Sequence, residues 1–345
     1  MTKALIAMSG GVDSSAAAFL AQQAGLDCIG TNMLLHDPHD DAADARAVAE
    51  KLNMPFRLLD ATEAFRAQVM DYFVDSYRQG LTPNPCVACN RHLKFGLLLD
   101  FAKEMGCEYI VTGHYCRIRR QEDGRYVLLK AADPAKDQSY FLYALTQQQL
   151  SHTLFPLSEL SKEQARAIAE ENGFINARKR DSQDICFIPD GDYFAFIRSY
   201  TRQDFPCGDF LDLDGKVVGK HNNAIAYTRG QRKGLGLAMG HPVYVHSKDM
   251  LHNTVTVCQD HQLFSTTLLA NDWNFIPFDQ LTAPLRCMAK ARSRMTEQPA
   301  TVYPEENGVV RVIFDTPQRA ITTGQAVVLY DGDLVIGGGT ITEVL

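Results

Sequence analysis

The sequence contains no apolar run near the roughly 20 residues that a helix needs to cross a lipid bilayer. Its first residues, MTKALIAMSGG, have neither the long apolar core nor the small-residue cleavage site of a secretory signal peptide. Nine cysteines in 345 residues are too few for a disulfide-stabilised scaffold. We therefore expect a cytoplasmic protein without membrane contact. Most of its cysteines should be small buried hydrophobes, and a few should be available for chemistry.

An excess of basic residues is missing as well, since the formal net charge is −7 at pH 7. This balance argues against indiscriminate binding to nucleic acid, but local basic patches decide phosphate contact rather than the global sum. Four such patches are present: CRIRR (116–120), ARKR (177–180), TRGQRKG (228–234) and KARSR (290–294). Binding to RNA is therefore compatible with the net negative charge.

The first half of the chain alternates strand-like and helix-like segments. The strand-like segments are KALIAM, DCIGTNML, FRLLD and CEYIVTGHY. The helix-like segments are SSAAAFLAQQAG, DAADARAVAEKLN, ATEAFRAQVMDYFVDSYRQG and LKFGLLLDFAKEMG. This order predicts an α/β fold with a doubly wound parallel sheet, whose ligands bind at the carboxyl ends of the strands.

The composition changes in the second half. The segment CRIRRQEDGRYVLLKA (116–131) predicts a hairpin with its turn at Asp123 and Gly124. From about residue 205, glycine, proline and short β-branched runs predict two small β-rich modules that meet near 262–270. We expect three domains, which cover residues 1–202, 203–264 and 265–345.

A glycine-rich stretch, AMSGGVDSS (7–15), follows the first strand and opens a helix. Two adjacent glycines permit backbone angles closed to other residues, so successive N–H groups can converge on an anion. Serine hydroxyls and the positive end of the helix dipole add to this. The stretch is neither a Walker motif nor the G-x-G-x-x-G of a dinucleotide site. It predicts a phosphate site and resembles the PP-loop of ATP pyrophosphatases, which split ATP between its α and β phosphates.

Cys86 and Cys89 form a Cys-x-x-Cys pair within TPNPCVACNRHLKF (82–95). The spacing is that of a zinc clip, but no second such pair accompanies it, although His92 or His114 could complete a site. A thioredoxin-type dithiol belongs at the start of a helix directly after a strand, whereas this pair follows TPNP. From the residues alone, a metal site and a redox pair both stay open and neither is favoured.

A further cysteine, Cys186, lies in DSQDICFI between apolar neighbours that are typical of a buried core. Its importance comes from the order of motifs along the chain. These motifs are the PP-loop, TPNPCVACNRHLKFG, VTGHY, KDQSYFLYAL, DSQDICFI and GQRKGLG. The ordered set resembles the tRNA-specific 2-thiouridylase family over essentially the whole chain.

The resemblance implies a PP-loop domain of the adenine-nucleotide alpha-hydrolase type, followed by two small β-rich modules, the last a β-barrel. It implies an enzyme that thiolates the wobble uridine (position 34) of tRNA at its 2-position. In that reaction the uracil 2-oxygen is adenylated, sulfur replaces it and AMP leaves. The cofactors would be ATP and Mg²⁺. The partners would be the anticodon loop of tRNA and a sulfur-relay protein or cysteine desulfurase that donates sulfur.

The resemblance also assigns roles to residues. Cys186 would carry a persulfide, and Cys89 would be the nucleophilic and resolving thiol. From the sequence itself, we expect positively charged neighbours such as Arg91, Lys94 or Lys136 to raise the thiolate fraction of Cys89. ATP would be held by Ala7, Met8, Ser9, Gly10, Gly11, Val12, Asp13, Ser14, Met33 and Gly113. The tRNA would be contacted by Asn84, Pro85, Cys86, His114, Lys136, Asp137, Gln138, Arg292, Ser293 and Gln325. Asp13 is the one candidate ligand for magnesium.

The chain departs from the family at position 86, where an aspartate is usual and Cys86 stands instead. In the first hypothesis, Cys86 replaces the aspartate and leaves persulfide chemistry at Cys89 and Cys186 intact. In the second, Cys86 and Cys89 form a resolving pair. In the third, all three thiols hold a [4Fe–4S] cluster whose open iron binds hydrosulfide. The persulfide mechanism is the main prediction and the cluster is its alternative.

Two other functions explain part of the sequence. A PP-loop ligase of a metabolite, such as an argininosuccinate or GMP synthetase, explains the glycine loop. It explains neither Cys89 with Cys186 nor the basic β-rich half. A non-catalytic RNA-binding protein with a zinc knuckle at Cys86 and Cys89 explains the basic patches, but it leaves SGGVDS without a role.

Overall fold

The computed structural model describes residues 1–36, 41–179 and 184–345, and of Asp41 only the backbone. The last residue of the patch ARKR and the first three residues of DSQDICFI lie outside these ranges. Within them, no helix combines the length and apolar character needed to span a bilayer.

The strands are, in chain order, β1 (Lys3–Ala7), β2 (Asp27–Leu34), β3 (Phe56–Asp60), β4 (Tyr109–Val111), β5 (Arg117–Arg120), β6 (Tyr126–Leu129), β7 (Thr153–Leu154), β8 (Gly208–Leu211), β9 (Val217–His221), β10 (Tyr244–Asp249), β11 (Thr254–Cys258), β12 (Phe264–Phe275), β13 (Leu285–Lys290), β14 (Gln298–Pro304), β15 (Val310–Arg319), β16 (Ala326–Asp331) and β17 (Leu334–Val344).

The helices and two π-helical segments, π1 and π2, are α1 (Val12–Gln23), α2 (Asp41–Lys51), α3 (Thr62–Phe65), π1 (Arg66–Asp71), α4 (Tyr72–Arg78), α5 (Pro85–Cys89), π2 (Asn90–Leu97), α6 (Leu98–Glu104), α7 (Gln147–Ser151), α8 (Lys162–Glu171) and α9 (Tyr193–Thr201). Short 3-10 turns lie at Ser139–Phe141, Ala224–Ala226, Asp260–Leu263 and Glu306–Gly308.

Five parallel strands form the sheet of the first half, in the order β3–β2–β1–β4–β7. On the central strand β1, Ala4 and Ile6 belong to the hydrophobic core on one face and Leu5 to the core on the other, because successive strand residues alternate between faces. Helices cover both faces, which explains the unbroken apolar run of β1. The predicted doubly wound α/β fold is confirmed.

The β-rich second half is confirmed too. Four strands form one sheet in the order β10–β11–β8–β9. Six strands form a barrel in the order β12–β15–β14–β13–β16–β17, closed because β12 also pairs with β17. The domain limits after residues 202 and 264 stay predictions.

The predicted hairpin β5–β6 is present, but it belongs to the barrel's sheet. Leu129 of β6 pairs with Leu334 of β17. Next to this pair, the Lys130 amide donates to the carbonyl oxygen of Asp333 at 2.9 Å, and the Lys130 ammonium lies 2.7 Å from a carboxylate oxygen of Glu297. The barrel is therefore hydrogen-bonded directly to the first half of the chain, a pairing that local sequence patterns do not contain.

The helix predicted to start at Leu93 in fact starts at Pro85, so that start was wrong. The lead-in TPNP resembles a loop, yet proline is favoured at the first helical position, where its missing N–H costs nothing. Asn84 caps the helix, with its side-chain oxygen accepting from the Val87 amide at 3.4 Å. Cys86 and Cys89 therefore lie in the first turns of a continuous helix α5–π2–α6, although no strand directly precedes it.

Candidate active site

The glycine loop between β1 and α1 is shaped by hydrogen bonds among its own groups. Gly10 has a φ of 75°, in the left-handed region that favours glycine. The Ser14 hydroxyl donates to the Gly11 carbonyl oxygen at 2.9 Å and accepts from the Ser9 amide at 3.2 Å. These bonds fix the shape of the loop from within, and a fixed backbone is what a phosphate site needs.

Three residues from distant segments hold the loop from outside. The Asn176 side chain donates to the Gly10 carbonyl oxygen at 3.0 Å, and the Asn32 side chain donates to the Met8 carbonyl oxygen at 2.8 Å. Gly113, after β4, approaches so closely that a Cβ there would lie 2.7 Å from the Asp13 carbonyl carbon. Gly113 was among the predicted residues, whereas Asn176 and Asn32 belong to no recognised motif and were missed.

The Asp13 carboxylate is held by a buried cation. The Lys162 ammonium, from the first turn of α8, lies 2.7 Å from both carboxylate oxygens, and Lys162 is only 7% exposed. The Tyr115 hydroxyl donates to one of these oxygens at 2.7 Å. Because the lysine compensates the carboxylate, Asp13 repels an incoming phosphate less than an isolated carboxylate would. The sequence gives no sign that Lys162 belongs to the site.

A cleft of about 470 Å³ opens at the carboxyl ends of the parallel strands, a volume within the range of small-molecule sites. Ten residues predicted to bind ATP or tRNA or to carry sulfur line it, namely Ala7, Met8, Ser9, Asp13, Ser14, Met33, Gly113, His114, Gln138 and Cys186. The cleft therefore unites the glycine loop with one of the two predicted catalytic cysteines. Lys94, Thr112 and Asp184 also line it.

Cys186 faces this cleft because its neighbours are anchored in the core. Phe187 packs edge-on against Phe65 and Phe73, with ring centroids 5.6 and 5.5 Å away, and Ile188 is 1% exposed. Cys186 itself is exposed. The apolar neighbours of Cys186 therefore belong to the core, and their packing holds the segment so that the Cys186 thiol faces the cleft.

The three cysteines of interest lie close enough to influence one another. Burial by surrounding protein raises the pKa of Cys186 to about 11, and Cys89 adds to the rise. Burial also raises the pKa of Cys89 and of Cys86. The positive charge of Lys94 lowers the pKa of all three thiols against this trend. Arg91, another predicted base, instead forms an ion pair with Asp272 at 2.5 Å.

The π-helical segment π2 explains how Lys94 reaches Cys89. In an α-helix, residues five positions apart point about 140° away from each other around the axis. In a π-helix the hydrogen bonds join residues i and i+5, so the side chains of these two residues lie on nearly the same side of the helix. The segment π2 begins directly after Cys89, which brings Lys94 back to the face of the thiols.

His114 is a neutral ring in an aromatic setting. Its Nδ1 lies 2.7 Å from the Thr112 hydroxyl, and its ring packs against Phe95 and Phe155 at centroid distances of 5.5 and 6.0 Å. Burial, and secondarily the charge of Lys94, holds the pKa of His114 well below its usual value. A neutral imidazole is suited to hydrogen-bonding an uncharged base.

The predicted tRNA contacts at 136–138 have different positions. Gln138 lines the cleft, and its side-chain oxygen accepts from the Tyr115 amide at 2.9 Å. The Asp137 carboxylate accepts from the amide and hydroxyl of Ser139, so it orders its own loop. Lys136 is half-buried.

The predicted barrel contacts lie outside the cleft. Arg292 donates to the Thr322 hydroxyl, and Ser293 next to it is half-buried. The Gln325 side chain donates to the Thr82 carbonyl oxygen at 2.9 Å. Their contacts with tRNA, like all the assigned residue roles, stay predictions.

A metal centre does not fit the donors in this conformation. In residues 1–36, 41–179 and 184–345, no three or more His, Cys, Asp or Glu side chains are arranged to hold a metal ion. Cys86 raises the pKa of Cys89, and both raise the pKa of Cys186, yet the three thiols are not arranged as such a ligand set. Neither a [4Fe–4S] cluster nor a zinc knuckle is therefore supported by this arrangement.

Comparison with known proteins agrees with the fold in three consecutive parts. A family model described as "tRNA methyl transferase HUP domain" matches residues 2–190. One described as "tRNA methyl transferase PRC-barrel domain" matches 195–259, and one described as "Aminomethyltransferase beta-barrel domain" matches 265–341.

Full-length relatives are closely similar. A protein named tRNA-specific 2-thiouridylase MnmA from Clostridioides difficile is 44% identical over 356 residues, which cover 99% of both chains. Proteins of the same name from Clostridium acetobutylicum and Acetivibrio thermocellus are each 46% identical over 354 residues, which cover 98% of this chain and 99% of theirs. The chain therefore belongs to the tRNA-specific 2-thiouridylase family.

Proposed function

We propose that this chain catalyses the ATP-dependent 2-thiolation of a uridine in tRNA, the wobble uridine of the anticodon loop. The observation that carries this proposal is the single cleft that contains both the glycine loop and Cys186. A uracil carbonyl is a poor electrophile and its oxygen a poor leaving group. ATP must therefore activate the oxygen of the same carbonyl group whose carbon the sulfur attacks, which requires nucleotide and sulfur in one site.

The glycine loop serves the first step. Its N–H groups, the Ser9 and Ser14 hydroxyls and the N-terminus of α1 bind the phosphates of ATP. The uracil 2-oxygen attacks the α-phosphorus, and pyrophosphate leaves. Magnesium would neutralise charge on the phosphates. Asp13 is the carboxylate of the loop and of the type that this ion prefers, but Lys162 already contacts both of its oxygens, so Lys162 would have to shift for Asp13 to hold the ion.

Cys186 and Cys89 serve the second step. The terminal sulfur of a Cys186 persulfide attacks C2 of the adenylated uracil, and AMP leaves with the original oxygen. The Cys89 thiolate then attacks the Cys186 sulfur, so the bond between the two persulfide sulfurs breaks and the thiolated base is released. The resulting Cys89–Cys186 disulfide needs a dithiol reductant to return both thiols. A relay protein or cysteine desulfurase supplies the next sulfur.

Cys86 acts as a replacement for the usual aspartate. It is exposed in the first turn of α5, where a side chain of either kind is accommodated. The alternative use of Cys86 as a third cluster ligand requires the three thiols to converge further than they do here.

An anticodon loop suits the site because its bases leave their stack more easily than those of a duplex. The neutral His114 and the Gln138 side chain line the cleft where such a base enters. Basic segments outside the cleft, such as TRGQRKG (228–234), hold backbone phosphates.

The test is a reconstituted reaction of the purified protein with ATP, an unmodified tRNA transcript and a persulfide donor. Thiolated nucleoside is measured by mass spectrometry after digestion. We expect thiouridine only when ATP is present, with one AMP and one pyrophosphate per thiouridine. A metabolite ligase would release pyrophosphate without tRNA, and a zinc-knuckle protein would bind tRNA without any turnover. Either result would refute the proposal.

A further inference from the structure

We propose that the barrel loop 320–325 positions the helix that carries Cys86 and Cys89, and that Gln325 is the positioning residue. The inference rests on the proposed function, because it deepens the role of these two thiols. It concerns a contact between the barrel and the segment that leads into α5.

Three hydrogen bonds join the loop to this lead-in. The Thr82 amide donates to the Thr323 carbonyl oxygen at 3.0 Å. The Gln325 side-chain nitrogen donates to the carbonyl oxygens of Thr82 at 2.9 Å and Pro83 at 3.3 Å. A primary amide has two N–H donors, so both donors of Gln325 are used on the backbone of the lead-in.

Gly324 permits this close approach. Its φ is 87°, and a Cβ there would lie 2.9 Å from the Thr82 nitrogen and 3.0 Å from the Leu81 Cβ. Any side chain at this position would force the barrel loop away from the lead-in. The two segments are thus packed backbone to backbone.

The loop itself is a rigid part of the barrel. The Gly324 amide donates to the Ile341 carbonyl oxygen, and the Ile341 amide donates to the Gln325 carbonyl oxygen, both at 2.8 Å. Arg292 donates to the Thr322 hydroxyl from the other side. The loop therefore fixes the position of the lead-in relative to strand β17.

A shift of the lead-in should displace the thiols, because few of its backbone angles are free to rotate. Pro83 and Pro85 each have φ fixed by their rings, and Asn84 between them is held as the cap of α5. Cys86 follows at once. Few rotatable backbone angles separate the Gln325 contact from the first thiol, so a displacement at Thr82 moves the start of the helix.

The test uses Gln325→Ala and Gln325→Met, the second of which keeps the side-chain volume but donates no hydrogen bond. The matched control is Gln318→Ala, because among the described residues the Gln318 side chain hydrogen-bonds only to Thr316 within its own strand. The readouts are the rate of Cys89 alkylation by iodoacetamide without tRNA, mapped by fragment-ion mass spectrometry, and kcat and KM for tRNA in the thiolation assay.

We expect both Gln325 variants to speed alkylation of the buried Cys89 at least about threefold and to lower kcat about 10- to 100-fold, since a small misplacement of reacting groups costs this much. KM for tRNA should stay within about twofold, and Gln318→Ala should match the wild type in every readout. The inference is overturned if Cys89 alkylation is unchanged in both variants, whether or not tRNA binding weakens. Alkylation is measured without substrates, so it decides this point even if the wild type fails to thiolate tRNA, a failure that would count against the proposed function alone.

Discussion

Gly113→Ala tests the phosphate site through a clash whose size the structure fixes. The new Cβ would lie 2.7 Å from the Asp13 carbonyl carbon and 2.8 Å from the Ser14 nitrogen, whereas ordinary contacts begin at 3.4 Å. Both neighbours are backbone atoms and cannot rotate away, so the loop must move by about 0.7 Å. We expect about 10- to 100-fold slower adenylation from this misplacement, and a loss of about 1–3 kcal/mol in the free energy of unfolding from overpacking.

The assay is tRNA-dependent pyrophosphate release, with thermal unfolding and tRNA binding measured on the same preparation. Gly106→Ala is the control, because Gly106 also has a left-handed backbone (φ 68°), but in the described part of the chain no atom beyond its immediate neighbours lies within 4 Å of the place that a new methyl group would take. The control should lose stability and keep its pyrophosphate release. Wild-type pyrophosphate release by Gly113→Ala would refute the assignment of this loop as the phosphate site.

Three further predictions concern the thiols. With the pKa of Cys186 at about 11, its alkylation in the free protein should rise about tenfold per pH unit between pH 8 and 10; a plateau near pH 9 would contradict this raised pKa. Lys94→Met should raise the pKa of Cys186 and so slow the alkylation of Cys186 at pH 9, while Lys103→Met on the same helix should have no effect. Equal alkylation rates in the two variants would show that the charge of Lys94 does not act on Cys186. Cys86→Asp should keep thiolation within about threefold of wild type, because a carboxylate is favourable in the first turn of a helix; loss of activity would instead indicate that the Cys86 thiol is needed.

The parts of the fold that depend on local patterns could be predicted from the sequence. The apolar run of β1 predicts a buried parallel strand, and the glycines after it predict a tight turn into a helix, because both requirements are local; the structure contains both. The start of α5 was misplaced, since the proline-rich lead-in has the composition of a loop and the cap at Asn84 is visible only as a contact. Propensity could not decide between these two structures.

The residues of the site that lie in sequence motifs could be predicted, whereas the residues that reach the site only through tertiary contacts were missed. The resemblance assigns Cys186 and the glycine loop to one site, and the structure places both on one cleft, while their roles stay predictions. Lys162 and Asn176 were missed because a single lysine or asparagine on an ordinary helix or turn has no pattern that links it to Asp13 or Gly10. The approach of Gln325 to the lead-in of α5 was missed for the same reason, since it depends on how the barrel packs against the first half.

In the proposed reaction, the Cys186 persulfide transfers sulfur to the ATP-activated base, and a Cys89–Cys186 disulfide forms as the thiolated base is released. The most direct measurement is a single turnover with protein carrying a persulfide on Cys186, ATP and tRNA, without a reductant. Thiouridine and the Cys89–Cys186 disulfide are then counted by mass spectrometry of the nucleosides and of the non-reduced peptides. We expect one such disulfide for each thiouridine released. Full release of thiouridine without this disulfide, or by Cys89→Ser, would contradict it.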